Sequence, residues 1–368
     1  MVYRLIFFWL SVLTLTSCSK NVDPEPFSRS DRQRVLNSIG YTNISSGLLE
    51  FQITARGFNQ YVDAYALDPT SPQKLNALRE AWLRMAIAWK EIALFGLGPS
   101  APSYIPTDVY TPINPTALER VISQNGAEID AAYFETLNPT HKGIVALEYL
   151  LFDPTATDLA PIIASFTSPT TGSRRLAYLK LLSAHLQERA TTSMYQWSSG
   201  GGDAISRFIS ADGMDQNSSL SLITAQFIRA VTVLKEERLG APLGANHNGQ
   251  VQPDLVDAKY SLESVALLQA ELKGASKIFY GVPSPSQGGA PGLRDLLDKM
   301  AAKTGDQLLG DAINARFQSI DYKIEPIRLP LKHLLVLNPA TVNSLYKDLE
   351  ELETLLKVDM VKYLRLPI

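Results

Sequence analysis

Three observations predict an all-α fold. Apolar residues recur at helical spacing through most of the chain, strand-like alternation is nearly absent, and three Asn-Pro pairs mark helix starts. Leu75, Leu78, Trp82, Met85, Trp89 and Ile92 advance in steps of three and four, which lays six large side chains along one stripe of a helix. Val342, Leu345, Leu349, Leu352, Leu356, Met360 and Tyr363 repeat the stepping in the last helix. Such stripes bury themselves against antiparallel neighbours, as in a bundle.

The elements follow in chain order. The first helix is expected over about 30 to 66, and the Trp82 stripe forms the second, ended by Gly98-Pro99 because proline disfavours helical geometry in its predecessor. Asn114-Pro115, Asn138-Pro139 and Asn338-Pro339 each open a helix: the Asn oxygen accepts a free N–H, and the proline lacks the donor that would be orphaned there. Further helices are expected at about 173 to 198, 215 to 238, 255 to 280, 290 to 302 and 306 to 324. Loops rich in Pro, Gly, Ser and Thr separate them, and the densest such stretch, 153 to 173, divides an N-terminal bundle (29–165) from a C-terminal bundle (173–368).

The chain's 368 residues leave room for two domains on a prior of about 150 each. A net charge of −3, with scattered basic residues and no basic cluster interleaved with aromatics, argues against a nucleic-acid partner. Oligomeric state is not legible.

The N-terminus carries an address. Arg4 precedes the largely apolar run Leu5 to Leu15, too short to span a bilayer, and Leu15-Thr16-Ser17-Cys18 follows. This matches a bacterial lipoprotein signal. Residues 1–17 are expected to be removed, Cys18 to receive lipid, and 18–28 to form a polar tether to the membrane of the cell envelope, on the outer membrane or periplasmic face. Cys18 is the only cysteine, so neither an intramolecular disulfide nor a multi-thiolate metal site is possible.

One charge stands out. Gly143 to Phe152 (GIVALEYLLF) reads as a helix turned inward on every side, and its only charge is the Glu148 carboxylate. Burying an ionised carboxylate without a partner costs several kcal/mol, so Glu148 must be paired, protonated or facing a polar cavity. On a helix from 139 to 152, His141 and Glu148 share a face, since seven residues turn it by about 700°, yet they stand about 10 Å apart along the axis. No ligand type precedes Glu148 at three or four residues, where Val145 and Ile144 stand. Trp82 and Trp89 are expected in the core, His141 on the surface, and His185, His247 and His333 as isolated, satisfied residues. Asp257 near a helix start is explained by capping and the helix dipole. There is no H-E-x-x-H, G-x-S-x-G, P-loop or EF-hand pattern.

Three stretches together resemble the imelysin-like family, bacterial envelope proteins that include an insulin-cleaving membrane protease and iron-regulated relatives. Trp89 to Pro99 is similar to its W…F.FGP region, Gly143 to Leu151 to its G-x-H-x-x-E-Y/F-L-L helix, and Arg238 to Ser261 to its stretch from a PLG turn to an acid and Tyr-Ser. The resemblance implies two packed helical bundles with a cleft between them, a link to iron acquisition, and a divalent metal or iron as the class of cofactor. This chain departs from the motif. Val145 occupies the histidine position and Ala93 a commonly acidic one, and neither side chain coordinates a metal or transfers a proton.

The expectation is therefore a lipid-anchored envelope protein binding a small ligand or metal ion in a cleft near Glu148, which is the candidate metal ligand. Catalysis is expected to be absent or weak. Gly143 would allow close helix approach, and Asp257, Tyr260 and Ser261 would stand on the opposite wall. Two alternatives remain open: a peptidase whose metal is held by ligands distant in sequence, and an interaction scaffold in which Glu148 only locks two bundles together.

Overall fold

The computed structural model describes residues 25–96, 105–124, 128–153, 155, 158–281 and 289–368. The leader, Cys18 and Gly98-Pro99 lie outside the described residues. Helix α1 (Arg29–Ser38) starts at a capping box in which Ser28 and Asp31 satisfy each other's backbone N–H. It runs through a wide π-helical turn, Ile39–Ser45, into α2 (Ser46–Ala66), so the expected first helix is one continuous rod.

Five residues then fold the chain back into α3 (Pro72–Ile92), capped by Ser71. Its predicted stripe is buried in full, Trp82 at 0% and Trp89 at 4% exposure. Each of the aliphatic members contributes about 1.5–3 kcal/mol by leaving water. The connection onward carries α4 (Pro115–Ser123), where Asn114 Oδ1 accepts from the Ala117 N–H as expected, and α5 (Ala131–Glu135). Asn138-Pro139 opens only a single 3₁₀ turn, because Lys142 is extended and the helix proper, α6 (Gly143–Leu151), begins after it. His141 is thus not on α6, and the shared face with Glu148 does not exist.

After α7 (Ala160–Thr167) comes the long α8 (Gly172–Trp197), then α9 (Ala204–Ser210) and α10 (Ser219–Val233). A second π turn, Leu234–Gly240, leads into the short α11 (Ala241–Leu243). The helix expected from 255 starts nine residues later as α12 (Ser264–Tyr280); residues 256–263 fold into tight turns instead. The remainder is α13 (Leu293–Lys299), a two-residue hairpin pairing Lys303 with Leu308 and Thr304 with Gln307, α14 (Leu309–Ile324), α15 (Leu331–Leu337), α16 (Pro339–Thr354) and, beyond a third π turn, α17 (Val361–Leu364).

The helices pack in a row. Helix α2 lies between α8 and α3, α3 lies against α12, and α12 adjoins α10 and α14, with α16 beyond them. A single hydrophobic cluster runs from Phe27 to Leu366. Helix α8, which follows the 153–173 stretch, packs on α2, α6 and α7, all of which precede it in that reading. No helix among the described residues is long and apolar enough to cross a membrane.

Candidate functional site

Helix α6 is apolar on all sides and buries Ile144, Ala146, Leu147, Leu150 and Leu151. Its first residue sets the entry. Gly143 has φ +85°, and a methyl there would stand 2.4 Å from the Val109 carbonyl oxygen and 2.7 Å from that of Asp108. The Ile144 N–H donates to Val109 O at 2.8 Å. Gly143 therefore admits the backbone of a loop, not the close approach of a helix as expected, and that loop carries Tyr110.

Glu148, 1% exposed, sits one side of a cradle. Its Oε1 accepts from Tyr260 N (2.8 Å), Ser261 N (2.8 Å) and Ser261 Oγ (3.0 Å). Ala258 and Leu262, flanking these donors, have φ 48° and 65°, left-handed values that cost non-glycine residues about 1–3 kcal/mol each. The distortion turns two successive N–H groups inward, a nest shaped for an anion. Burial pushes the Glu148 carboxyl up to about 7 despite those donors, and the Asp257 charge adds to the rise. The ring of Tyr260 meets Tyr149 edge-on at 5.3 Å.

Asp257 does not cap α12, which starts seven residues later. It belongs to a charge network drawn from four distant segments. Lys90 on α3, its side chain 1% exposed, donates to Asp257 Oδ2 and Glu271 Oε1, both at 2.6 Å, and its ammonium lies 3.9 Å from the centre of the Tyr110 ring. Tyr110 donates its hydroxyl to Asp257 Oδ1 at 2.6 Å. Arg238 Nε reaches Glu271 at 3.0 Å and 3.2 Å, and Asp257 Oδ2 at 3.6 Å. Burial alone would raise the Asp257 carboxyl; Lys90 and Arg238 overcome it and hold the group well below the usual carboxylate range. Glu271 behaves alike, with Arg238 the larger influence.

The π turn explains how Arg238 arrives. Residues three apart share a face of an α-helix, yet Lys235 pairs with Glu353 on α16 while Arg238 pairs with Glu271 on α12. The widened turn sends the two cations to different neighbours.

Beside this network lies a cavity of about 210 Å³. Lys90, Tyr110, Arg238 and Glu271 border it, and Trp89, Leu94, Ile105, Pro106, Ala230 and Val233 supply apolar wall. Of the sequence-predicted residues, the structure brings Glu148, Tyr260 and Ser261 into contact and sets Asp257 next to them, but none of these, nor Gly143, lines the cavity. The donors of the 257–263 turn converge on one Glu148 oxygen, Oε1. On that side of the carboxylate a cation is excluded, since Oε1, ringed by N–H and O–H groups, faces protons where it would sit. Among the described residues no three His, Cys, Asp or Glu side chains gather as a metal set. His247 and His333 are exposed; His185 is buried with Nε2 3.1 Å from Asp108 Oδ2.

Sequence reading missed Lys90, Tyr110, Glu271 and the inward turn of Arg238. One signal existed: Glu271 falls on the stripe Leu268, Ala275, Ile278 of α12, a charge where an apolar side chain is due. Tyr110, in a loop, offered none.

The fold and site define the class, an all-α protein whose row of helices is pinned across its middle by a buried ion network. The chain belongs to the imelysin family: the sequence model of that family, described as imelysin, peptidase M75, matches residues 46–357. Among solved structures it is similar to an imelysin-like protein from Psychrobacter arcticum 273-4, at 16% identity and TM-score 0.72, covering 92% of this chain and 97% of that one. It is equally similar to a protein from Parabacteroides distasonis ATCC 8503 named as an iron-regulated protein A precursor, at 16% identity and TM-score 0.72, covering 93% and 97%. No curated protein matches the chain.

Proposed function

We propose that this imelysin-family chain is a binding protein of the cell envelope, held to the membrane through lipid on Cys18, which takes a small ligand in the cavity beside Lys90 and Arg238. The observation that carries the reading is the cavity itself. Apolar wall surrounds a few convergent polar groups supplied by α3, the 105–110 loop, the 234–240 turn and α12, the composition expected of a ligand site. Glu148 serves as the clasp that holds the 257–263 turn, and through Asp257 the network, in place. Peptidase chemistry is not part of the proposal, because Val145 stands where the family motif has its histidine.

Filling the cavity tests this. Phenol, a neutral ring of suitable size, should bind the protein saturably by calorimetry, and Val233→Trp should abolish that binding with helix content and melting temperature kept. Unchanged phenol binding by the filled variant removes the cavity as the site. The iron link draws its support from the name of the Parabacteroides distasonis neighbour. Protein abundance should rise in iron-starved cultures, and a constant level cuts that link.

A further inference from the structure

We infer that the cavity selects a small monocarboxylate with an apolar body, its carboxylate seated on the outer nitrogens of Arg238. This rests on the cavity being the binding site. Asp257 Oδ1 accepts from Tyr110 and from the Ala258 N–H, and its Oδ2 from Lys90. Glu271 Oε1 accepts from Lys90 and Arg238, and Oε2 from Arg238. Each carboxylate oxygen of the network thus already accepts at least one hydrogen bond. Its donors are not all engaged: the hydrogen bonds of Arg238 to Glu271 run through Nε, and its Nη1 stands 3.7 Å from Glu237 Oε2, beyond hydrogen-bond length.

A guanidinium carries five N–H donors in a planar fork suited to a carboxylate, so the spare edge of Arg238, on a side chain 24% exposed, can take an acceptor from outside in place of water. A cationic ligand would meet two cations, Lys90 and Arg238, against one carboxylate, Glu271, on the cavity wall. A doubly charged phosphate would bring two negative charges to a cluster whose two cations already face two anions. The apolar wall of Trp89, Ile105 and Val233 sets the rest of the molecule. An apolar cavity of about 150 Å³ accepts benzene, so about 210 Å³ holds one ring or a short branched chain with a carboxylate.

The test compares 3-phenylpropionate, its primary amide and 2-phenylethylamine by calorimetry on the full chain. The acid should bind at least tenfold more tightly than the amide, and the amine should not bind. Arg238→Lys keeps a cation beside Glu271 but loses the fork, and should reduce the ratio of acid to amide affinity at least fivefold. Equal affinity for acid and amide, or a ratio indifferent to Arg238→Lys, overturns the head-group assignment. If the amide still binds and Val233→Trp abolishes it, the cavity reading survives that loss. Acid binding that persists in Val233→Trp, or no binding by any of the three, overturns both.

Discussion

Glu148 and Ser261, 113 residues apart, meet twice on one oxygen: Oε1 accepts both the Ser261 backbone N–H at 2.8 Å and its hydroxyl at 3.0 Å. The carboxyl is raised by burial to about 7 from an unfolded value of 4.5. A raised folded value means that the native state holds the proton more tightly, so this contribution is full below pH 4.5 and is lost as pH rises through 7. The size is on the order of 3 kcal/mol. Urea denaturation from pH 5 to 8 should show that slope in the native protein and not in Glu148→Gln, whose amide oxygen still accepts the three donors. Equal slopes refute the assignment. Ser261→Ala should cost about 1 kcal/mol at pH 6 and move the midpoint of the slope upward, since a donor that favours the ionised form is gone.

Gly143→Ala should be among the most damaging single-methyl changes in the chain. Its φ of +85° disfavours any side chain, and the methyl would collide with two backbone carbonyls that have no rotamer to yield. A loss of about 2–4 kcal/mol is expected, checked by thermal melting. A loss below about 1 kcal/mol shows that the loop bearing Tyr110 gives way freely.

Lys90→Met removes the ammonium that Asp257 and Glu271 share and leaves Arg238 as the one cation beside both. Removing one partner of a buried pair costs about 3–5 kcal/mol. Adding Glu271→Gln should recover part of this, because two carboxylates facing the single cation Arg238 become one. Additive losses in the double variant would show that Lys90 and Glu271 do not act together.

Cys18→Ala should release the protein from the membrane fraction and abolish labelling by a lipid precursor. The expectation comes from Leu15-Thr16-Ser17-Cys18 behind an export-type run. Tight membrane association of the variant defeats the anchor.

Incubation with a peptide panel and divalent metals should give no metal-dependent cleavage. Val145 supplies no ligand one turn before Glu148, and Glu148 Oε1 is ringed by donors. Cleavage abolished by Glu148→Gln would restore the peptidase reading.

Local sequence was enough for the all-α class, the α3 and α16 stripes, the Asn114-Pro115 start and the singling out of Glu148. Each rests on short-range rules: periodicity, capping, and the cost of a charge inside an apolar helix. The Glu148 partners Tyr260 and Ser261 came from the resemblance to the family's sequence pattern, not from local rules. Three things waited for the tertiary structure. Residues 256–263 leave the helical path because Glu148 stabilises their left-handed turns, a payoff available only once α6 is packed against them. Lys90, Asp257, Glu271 and Arg238 become one network only through the packing of α3 on α12, and no spacing within either segment encodes the other. The cavity, finally, is a space between elements, and which side chains border it depends on how α3, the 105–110 loop, α10 and α12 come together rather than on the pattern of any one of them.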